Sequence, residues 1–578
     1  MKIPNLEKRK HIGKIILTYS GAAWVIIQVI NFIISQYEWP IALLDVSILL
    51  FIFGLPAAFV YALYGNILTK KLKLVYGFNL FLALGVISYY FIKPNSLHPN
   101  QIKFLKFKSN QKEIAQNIQS IAILPFSNFT GDSNKDYLSY AIHDAMITEI
   151  GSISSLRVIS KTSSMAINDS KKSLQEIAKD LKVDAVIEGS ISSVDELIKV
   201  NVSLISAFPE ELQLWAKVYS VTMSELLNVY STITKNLAEE IEMPLTQEEL
   251  VKLNQKSSVD PAAYEAYLKG KYNMGLLTQE GIMAAQDYFE KSIKIDPDFA
   301  ASYAALGGIW SFLKQMNFVT TDQAAPHISP NIQKAKALDP DLAEVYYWDA
   351  INLVWTDYNW DAGETAFIKA IDLNPNSSET RGLYSNFLLG QNRIEEARKE
   401  MDIALDIDPK NPFILTLNSV NLFIEGNYEE CIELSKTLQV MLPNNPLVNL
   451  SLFQSYAAIK DYDNLVKHAK IWLTLENHQD VIPVMEQTYK DEGVKAAFLK
   501  TCEALEIKDP SMLMAQTMFT FYAITGNVDK TLDWIEKSYL RKDPDIPAIN
   551  VVPALNPYRN EPRLIEIIKR LNFQNPNL

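Results

Sequence analysis

Cysteine is almost missing from this chain, with two in 578 residues, Cys431 and Cys502. That scarcity excludes a CxxC metal site and a disulfide framework, and leaves open only a single bridge between those two residues. The six histidines, His11, His98, His143, His327, His468 and His478, show no metal-ligand spacing. Positive charge is also scarce beyond one end. The first 115 residues hold 13 Lys and Arg against 4 Asp and Glu, a net of +9, so with −13 overall the remainder carries −22. An acidic body argues against nucleic acid as a partner, because phosphate binding requires a basic face. At 578 residues the chain is long enough for about three or four domains of roughly 150 residues each.

What the basic head does contain is apolar sequence. Residues 15–37, IILTYSGAAWVIIQVINFIISQY, carry no charge, and two further uncharged runs follow at 46–69 and 74–92. Each is long enough to cross a hydrocarbon core of roughly 30 Å as a helix, so three transmembrane helices are expected. A cleaved leader is the weaker reading of the first run, which lacks a small-residue cleavage site and is followed at once by another apolar span. Lys2, Lys8, Arg9, Lys10 and Lys14 precede the first run, and Lys70, Lys71 and Lys73 separate the second from the third. The positive-inside rule then puts the N-terminus in the cytoplasm and everything after Ile92 outside it. Lys93, Lys103, Lys106, Lys108 and Lys112 weaken that bias.

After a polar tether at 96–115 the pattern alternates strand and helix from SIAILPFSNFTGD (Ser120–Asp132) onward. Strands are expected at 120–126, 156–160, 184–191, 197–207 and 213–221, with helices at 137–150, 173–181 and 225–243. This is a small α/β domain with a mixed sheet, over 116–245. Its first loop, SNFTGD, has one glycine and no Gly-Lys-Ser/Thr ending, so a phosphate cradle is disfavoured. The run Asp132-Ser133-Asn134-Lys135-Asp136 superficially matches a calcium loop, but Tyr137 stands where Gly is needed and His143 where Glu is needed. We read it as a helix N-terminal turn capped by Asp132, Ser133 or Asn134. His143 and Asp144 are adjacent on a helix and do not face one another, so they read as a solvated face rather than an acid–base pair.

SIAILPFSNFTGDSNKDYLSYAIHDAMITEI, LRVISKTSSM, LQEIAKDLKVDAVIEGSI and LQLWAKVYS together resemble the extracytoplasmic TolB-N/FlgO-like module that bacterial membrane proteins place before tetratricopeptide repeats. The head KRKHIGKIILTYSGAAWVIIQVINFI resembles the membrane segment common in that group. The resemblance implies a non-catalytic domain. In related chains it follows a cytoplasmic cyclase or a CadC-type winged-helix effector; the dozen residues before the first span hold neither, so neither activity carries over.

Downstream a phrase returns: KIDPDFA, ALDPDLA, DLNPNSS, DIDPKNP and MLPNNP, with prolines at 297, 340, 375, 409 and 443. The intervals are 43, 35, 34 and 34, and 34 is the period of tetratricopeptide helix pairs, whose second helix ends at the proline. Ala335, Ala370 and Ala404 share a small position and Phe289 and Phe367 an aromatic one. Cys431 stands twelve residues before Pro443, as Ala397 does before Pro409, so it reads as a buried small residue. The long first interval suggests an inserted loop at 317–330. Pro510 and Pro544 resume the spacing, giving seven or eight pairs over 260–578 with a C-terminal cap whose ending, VPALNPYRNEPRLIEIIKRLNF, resembles the family's terminal segment. Trp348, Trp355, Tyr358 and Trp360 read as inter-repeat packing rather than a ligand cage.

The fold class is therefore multi-domain: a three-helix membrane anchor (1–95), the α/β module and an all-α solenoid. No catalytic, cofactor or metal residues are assigned and no cofactor is expected. The reading is a non-enzymatic adaptor in the bacterial inner membrane, with unidentified protein partners in the solenoid groove. A receptor signalling to a separate cytoplasmic partner is the alternative, and an enzyme with a site in the module is less favoured. A reporter active only in the cytoplasm, fused after Leu578, is expected to be silent; activity there would refute this topology.

Overall fold

A computed structural model of the chain describes residues 6–37, scattered positions between 44 and 88, and 110–577 apart from 168–171, 195–196, 255–258, 277, 317 and 508–513. The chain divides into two compact units, 1–109 and 110–578. In the first, α1 (Leu6–Tyr37) contains Ile12–Phe32, 21 residues with a mean hydropathy of 1.7. Among the described residues it alone is long and apolar enough to cross a membrane. Of the three expected spans this helix matches the first; the second and third, 46–69 and 74–92, lie largely outside the described residues.

The second unit begins with a mixed sheet. Its strands are β1 (Ser120–Ile123), β2 (Ser127–Asn128), β3 (Arg157–Val158), β4 (Ala185–Val194), β5 (Leu197–Ser206) and β6 (Leu212–Val221). The order is β3-β1-β4-β5-β6, with β2 paired to β4; β1, β2, β3 and β4 run parallel, and β4, β5 and β6 form antiparallel hairpins. The expected strand 120–126 ends early at Ile123, ahead of Pro125, which cannot donate to the ladder, and β2 begins beyond it at Ser127. Helices α2 (Asp136–Gly151) and α5 (Met223–Glu240) pack on one face, over Ile187, Val200, Val202 and Leu204. On the other face α4 (Leu174–Leu181) covers Ala122 and Val186, and the short α3 (Lys161–Met165) lies beside it. Ser173 and Glu176 close a capping box at the start of α4, and Thr222 with Glu225 does the same for α5.

A connecting helix, α6 (Gln247–Asn254), leads to eight helix pairs. They are α7 (Pro261–Gly275) with α8 (Gln279–Ile295), α9 (Ala300–Gln315) with α10 (Thr321–Leu338), α11 (Ala343–Trp355) with α12 (Trp360–Leu373), and α13 (Ser378–Gly390) with α14 (Ile394–Ile407). The array continues as α15 (Pro412–Ile424) with α16 (Tyr428–Met441), α17 (Pro446–Ala458) with α18 (Tyr462–Leu475), α19 (Ile482–Glu492) with α20 (Val494–Glu506), and α21 (Ala515–Thr525) with α22 (Val528–Arg541). Asp260 caps the first helix through the Ala262 and Ala263 amides. The residues that set the period are where the repeat requires them: Ala335, Ala370, Ala404, Phe289, Phe367, Ala397 and Cys431 are all buried.

One expectation fails. The segment 317–330 is not an inserted loop; from Thr321 it is helix, with Pro326 and Pro330 inside α10. Both prolines are exposed, while Ala324, Ile328, Ile332 and Ala335 form a buried stripe along the helix. The stripe's burial outweighs the backbone bonds the prolines forgo. The long interval is taken up by longer helices, 16 and 18 residues in α9 and α10 against 13 and 14 in α11 and α12.

Because the module and the solenoid belong to one compact unit, damage to a repeat should cross between them. Ala404→Leu overpacks a fully buried site at a cost of about 1–3 kcal/mol. Hydrogen exchange should quicken across 375–445 and also around Arg157–Ser164, whose partners lie at the end of the same helix; unchanged exchange in the module would contradict this coupling.

Candidate functional site

The inter-repeat loops carry more than a helix stop. Asn376, in the phrase DLNPNSS, donates through Nδ2 to the carbonyls of Gly151 (3.0 Å), Ile153 (3.1 Å) and Leu156 (2.8 Å), and its Oδ1 accepts from the Val158 amide at 3.0 Å. One repeat later, Asp406 and Ile407 offer carbonyls to the Arg157 guanidinium at 3.0 and 3.1 Å, and the buried Asp408 accepts from the Ser163 hydroxyl at 2.6 Å. Asn411 donates to Ser160 and to Glu379. The module is thus hydrogen-bonded to the edge of the solenoid where second helices end and first helices begin.

Behind these bonds lies a charged cluster. Asp144 pairs with Lys161 at 2.9 Å and with Lys271 at 3.5 Å, and Lys271 also meets Glu344 at 3.5 Å. Burial alone would raise the Asp144 carboxyl, but the two lysines hold it well below the usual carboxylate range. Glu379 is pushed up by burial and by Asp408. His143 is 1% exposed, with Nε2 2.8 Å from the Ile123 carbonyl and 3.2 Å from the Ser164 hydroxyl. Burial lowers its imidazole to about 4, so it is neutral at physiological pH. The pair read as a solvated face is therefore a core histidine beside a joint carboxylate. Helix periodicity did not reveal this because the second surface covering α2 belongs to a distant repeat.

The groove also departs from expectation. First helices of successive pairs pack on one another along the inner curve, and the turns Ile546–Asn550 and Pro553–Tyr558 lie against α11, α13, α17 and α21. Ile546, Ile549, Leu555, Leu564 and Ile568 are buried in the same core as the repeats. Helix α23 (Pro562–Leu571) follows. Trp360 donates to the Leu571 carbonyl at 2.7 Å and stacks on Phe573 at 5.1 Å; Tyr358 donates to the Asp543 carbonyl at 3.0 Å; Tyr558 donates to the Ala523 carbonyl at 2.9 Å. Gly390 lets the Pro547 carbonyl come so near that a Cβ would sit 3.0 Å from its oxygen. The groove expected to receive a partner is occupied along these helices by the chain's own C-terminal segment. The aromatic residues divide accordingly: Trp355, Tyr358 and Trp360 belong to this core, whereas Trp348 packs separately over Gly308.

Asp132 caps the turn Ser133–Lys135 by accepting from the Asn134 amide at 2.9 Å. Cys431 and Cys502 are free, buried thiols, raised by burial. Among the described residues no cluster of three or more His, Cys, Asp and Glu has the geometry to hold a metal.

A family model described as the second domain of HilA/YgeH-like transcriptional regulators matches residues 116–237. The Rhizobium meliloti (strain 1021) protein named "Putative adenylate cyclase 3" is 27% identical over 240 residues, 41% of this chain and 40% of its own length. The chain thus spans about two fifths of that relative. Among solved structures, PilF of Pseudomonas aeruginosa matches at 17% identity over 37% of this chain and 93% of its own, with a TM-score of 0.29. Yeast Tom70 matches at 16% over 59% and 77%, with a TM-score of 0.32. YrrB, described as a tetratricopeptide protein with an unusual peptide-binding site, matches at 14% over 34% and 97%, with a TM-score of 0.24. The solenoid here rests on its own eight helix pairs.

The seat of the C-terminal segment is sensitive to pH. Burial, with Asp543 adding to it, raises the Asp545 carboxyl to about 7, while burial lowers Lys314 to about 8 as its ammonium donates to the Trp355 carbonyl at 2.7 Å. Since Asp545 holds its proton more tightly when folded, its contribution to stability is largest below the ordinary carboxylate pKa of about 4 and is lost as pH rises toward 7. Asp545→Asn should raise resistance to urea at about pH 7.5 relative to the natural protein, on the order of 1–4 kcal/mol, with the gap closing near pH 4. A gap constant with pH would exclude this coupling.

Proposed function

We propose that this chain is a non-enzymatic adaptor anchored in the bacterial inner membrane, with its soluble unit on the extracytoplasmic side. The observation that carries the reading is the joint between module and solenoid, whose hydrogen bonds hold the two folds in one compact unit that offers both to a partner together. The apolar helix α1 supports anchorage, and the lysine distribution supports the orientation. The family match to a regulator's second domain over 116–237 supports a module that accompanies an effector rather than acting as one. The named likeness to a cyclase covers only two fifths of that relative, and no cyclase activity is proposed.

With the inner groove filled, the partner surface we favour is the inter-repeat edge beyond the module. Val440 (85% exposed), Ile507 (85%) and Leu540 (73%) all stand at the carboxyl ends of second helices, the edge that holds the module one or more repeats earlier. Exposed apolar residues recurring at the ends of second helices suit a protein contact.

The test is affinity capture from solubilised membranes with the full chain and with Val440→Asp combined with Leu540→Asp. A protein retained by the natural chain should be lost, or retained at least about tenfold less, by the double variant at unchanged melting temperature. Identical retention by both would reject the edge, and nothing retained above a bare-resin control would reject the adaptor.

A further inference from the structure

The loop SNFTGD lines a cleft of about 400 Å³ in the module. It lies on the sheet face that α4 leaves uncovered. Val186 and Ile205 are packed beneath that helix, but the next rows on the same face, Glu188 opposite Ser203 and Ser190 opposite Asn201, are open. The cleft is at the carboxyl end of parallel β1, where α/β sheets place their ligands.

Its chemistry is narrow. Hydroxyls come from Ser127, Ser164, Ser190 and Ser203, an amide from Asn201 and one carboxylate from Glu188, while Leu124, Pro125, Ile167 and Ile177 supply apolar wall. Among the described residues no lysine, arginine or histidine lines it, so neither a phosphate nor a carboxylate ligand would find a counter-charge. A purely apolar ligand would strand the hydroxyls.

The mouth is rigid and aromatic. The Asn128 side-chain carbonyl accepts from the Thr130 amide at 2.9 Å and the Thr130 hydroxyl at 2.7 Å, while its Nδ2 donates to Asp136 at 2.7 Å. The Phe129 amide donates to the Ile191 carbonyl at 2.7 Å. What this fixed loop presents is the Phe129 ring, 70% exposed on the rim. A planar apolar face held beside hydroxyls, an amide and one carboxylate matches a pyranose, which has an apolar C–H face and a hydroxyl edge.

We propose that this cleft binds a neutral saccharide, with one ring stacked on Phe129 and its hydroxyls hydrogen-bonded to Ser127, Ser190, Asn201, Ser203 and Glu188. The site would give the adaptor a glycan contact independent of its protein partner.

The test is calorimetry of the full chain in phosphatidylcholine nanodiscs, because sugar detergents would compete for the site. Chitotetraose and maltotetraose are the probes, with MgATP and inorganic phosphate alongside. At least one tetrasaccharide should bind, and its Kd should rise at least about tenfold in Phe129→Ala, whose side chain supports no core, and in Ser203→Leu, which fills the cleft. Melting temperature checks that both variants are folded. No heat from either saccharide, equal affinity in the folded variants, or preferential binding of MgATP or phosphate would overturn the proposal.

Discussion

The amide of Asn376 is the contact around which the unit 110–578 is arranged. A short strand at the edge of a sheet leaves backbone groups unpaired, and those of β3 and the turn before it would face a solenoid with nothing to match them. One side chain answers four of these groups, sharing its two N–H hydrogens among three carbonyls and returning its oxygen to the Val158 amide. An unmatched buried group costs about 1–3 kcal/mol, so the joint needs a residue with both donor and acceptor at this site. Asparagine supplies both on a stem short enough for a loop. Once β3 is closed in this way, Arg157 and Ser163 fall within reach of the next repeat.

The solenoid was legible because its signal is local and repeated. A proline every 34 residues and a small residue five before it report a helix crossing that each repeat must solve identically, and Ala370 and Ala404 are buried as that rule requires. The module's strands were legible for a similar reason: Ile198, Val200, Val202 and Leu204 alternate, and all four point inward. The interval of 43 between Pro297 and Pro340 misled because its extra length suggests an inserted loop, whereas α10 runs through Pro326 and Pro330, which on an exposed face of a helix held by its opposite side each remove little more than one backbone bond. The joint and the filled groove were illegible for another reason. Asn376 meets partners more than 200 residues earlier, and Trp360 meets Leu571 211 residues later; no periodicity connects such positions.

The filled groove changes what the solenoid is for. An array of helix pairs open along its inner curve can flex like a spring, because each pair contacts only its neighbours. Here the last residues return across the first helices of four pairs, and Thr321 at the second pair reaches the Arg541 carbonyl at the eighth, at 3.4 Å. Contacts between distant repeats remove the one-dimensional character that nearest-neighbour stacking would give. The array becomes a frame of fixed curvature, and the surfaces it leaves open are its edges and the module.

The two long-range interfaces differ in kind, and that difference locates any motion. The C-terminal segment is held by apolar side chains in a shared core, where separation exposes them to water at about 1.5–3 kcal/mol for each large residue. The module joint adds hydrogen bonds and ion pairs, groups that water satisfies nearly as well, to an apolar contact in which Tyr264, Leu268 and Phe299 share the module's own core. Its charges are also imperfectly balanced: Asp144, Glu344, Glu379 and Asp408 face Lys161, Lys271 and Arg157, and Asp408 Oδ2 is buried with no partner. A buried carboxylate oxygen without a donor destabilises the closed arrangement relative to a hydrated one. The polar contacts of Arg157–Ser164 with the repeat ends therefore separate at less cost than the apolar seal of the groove.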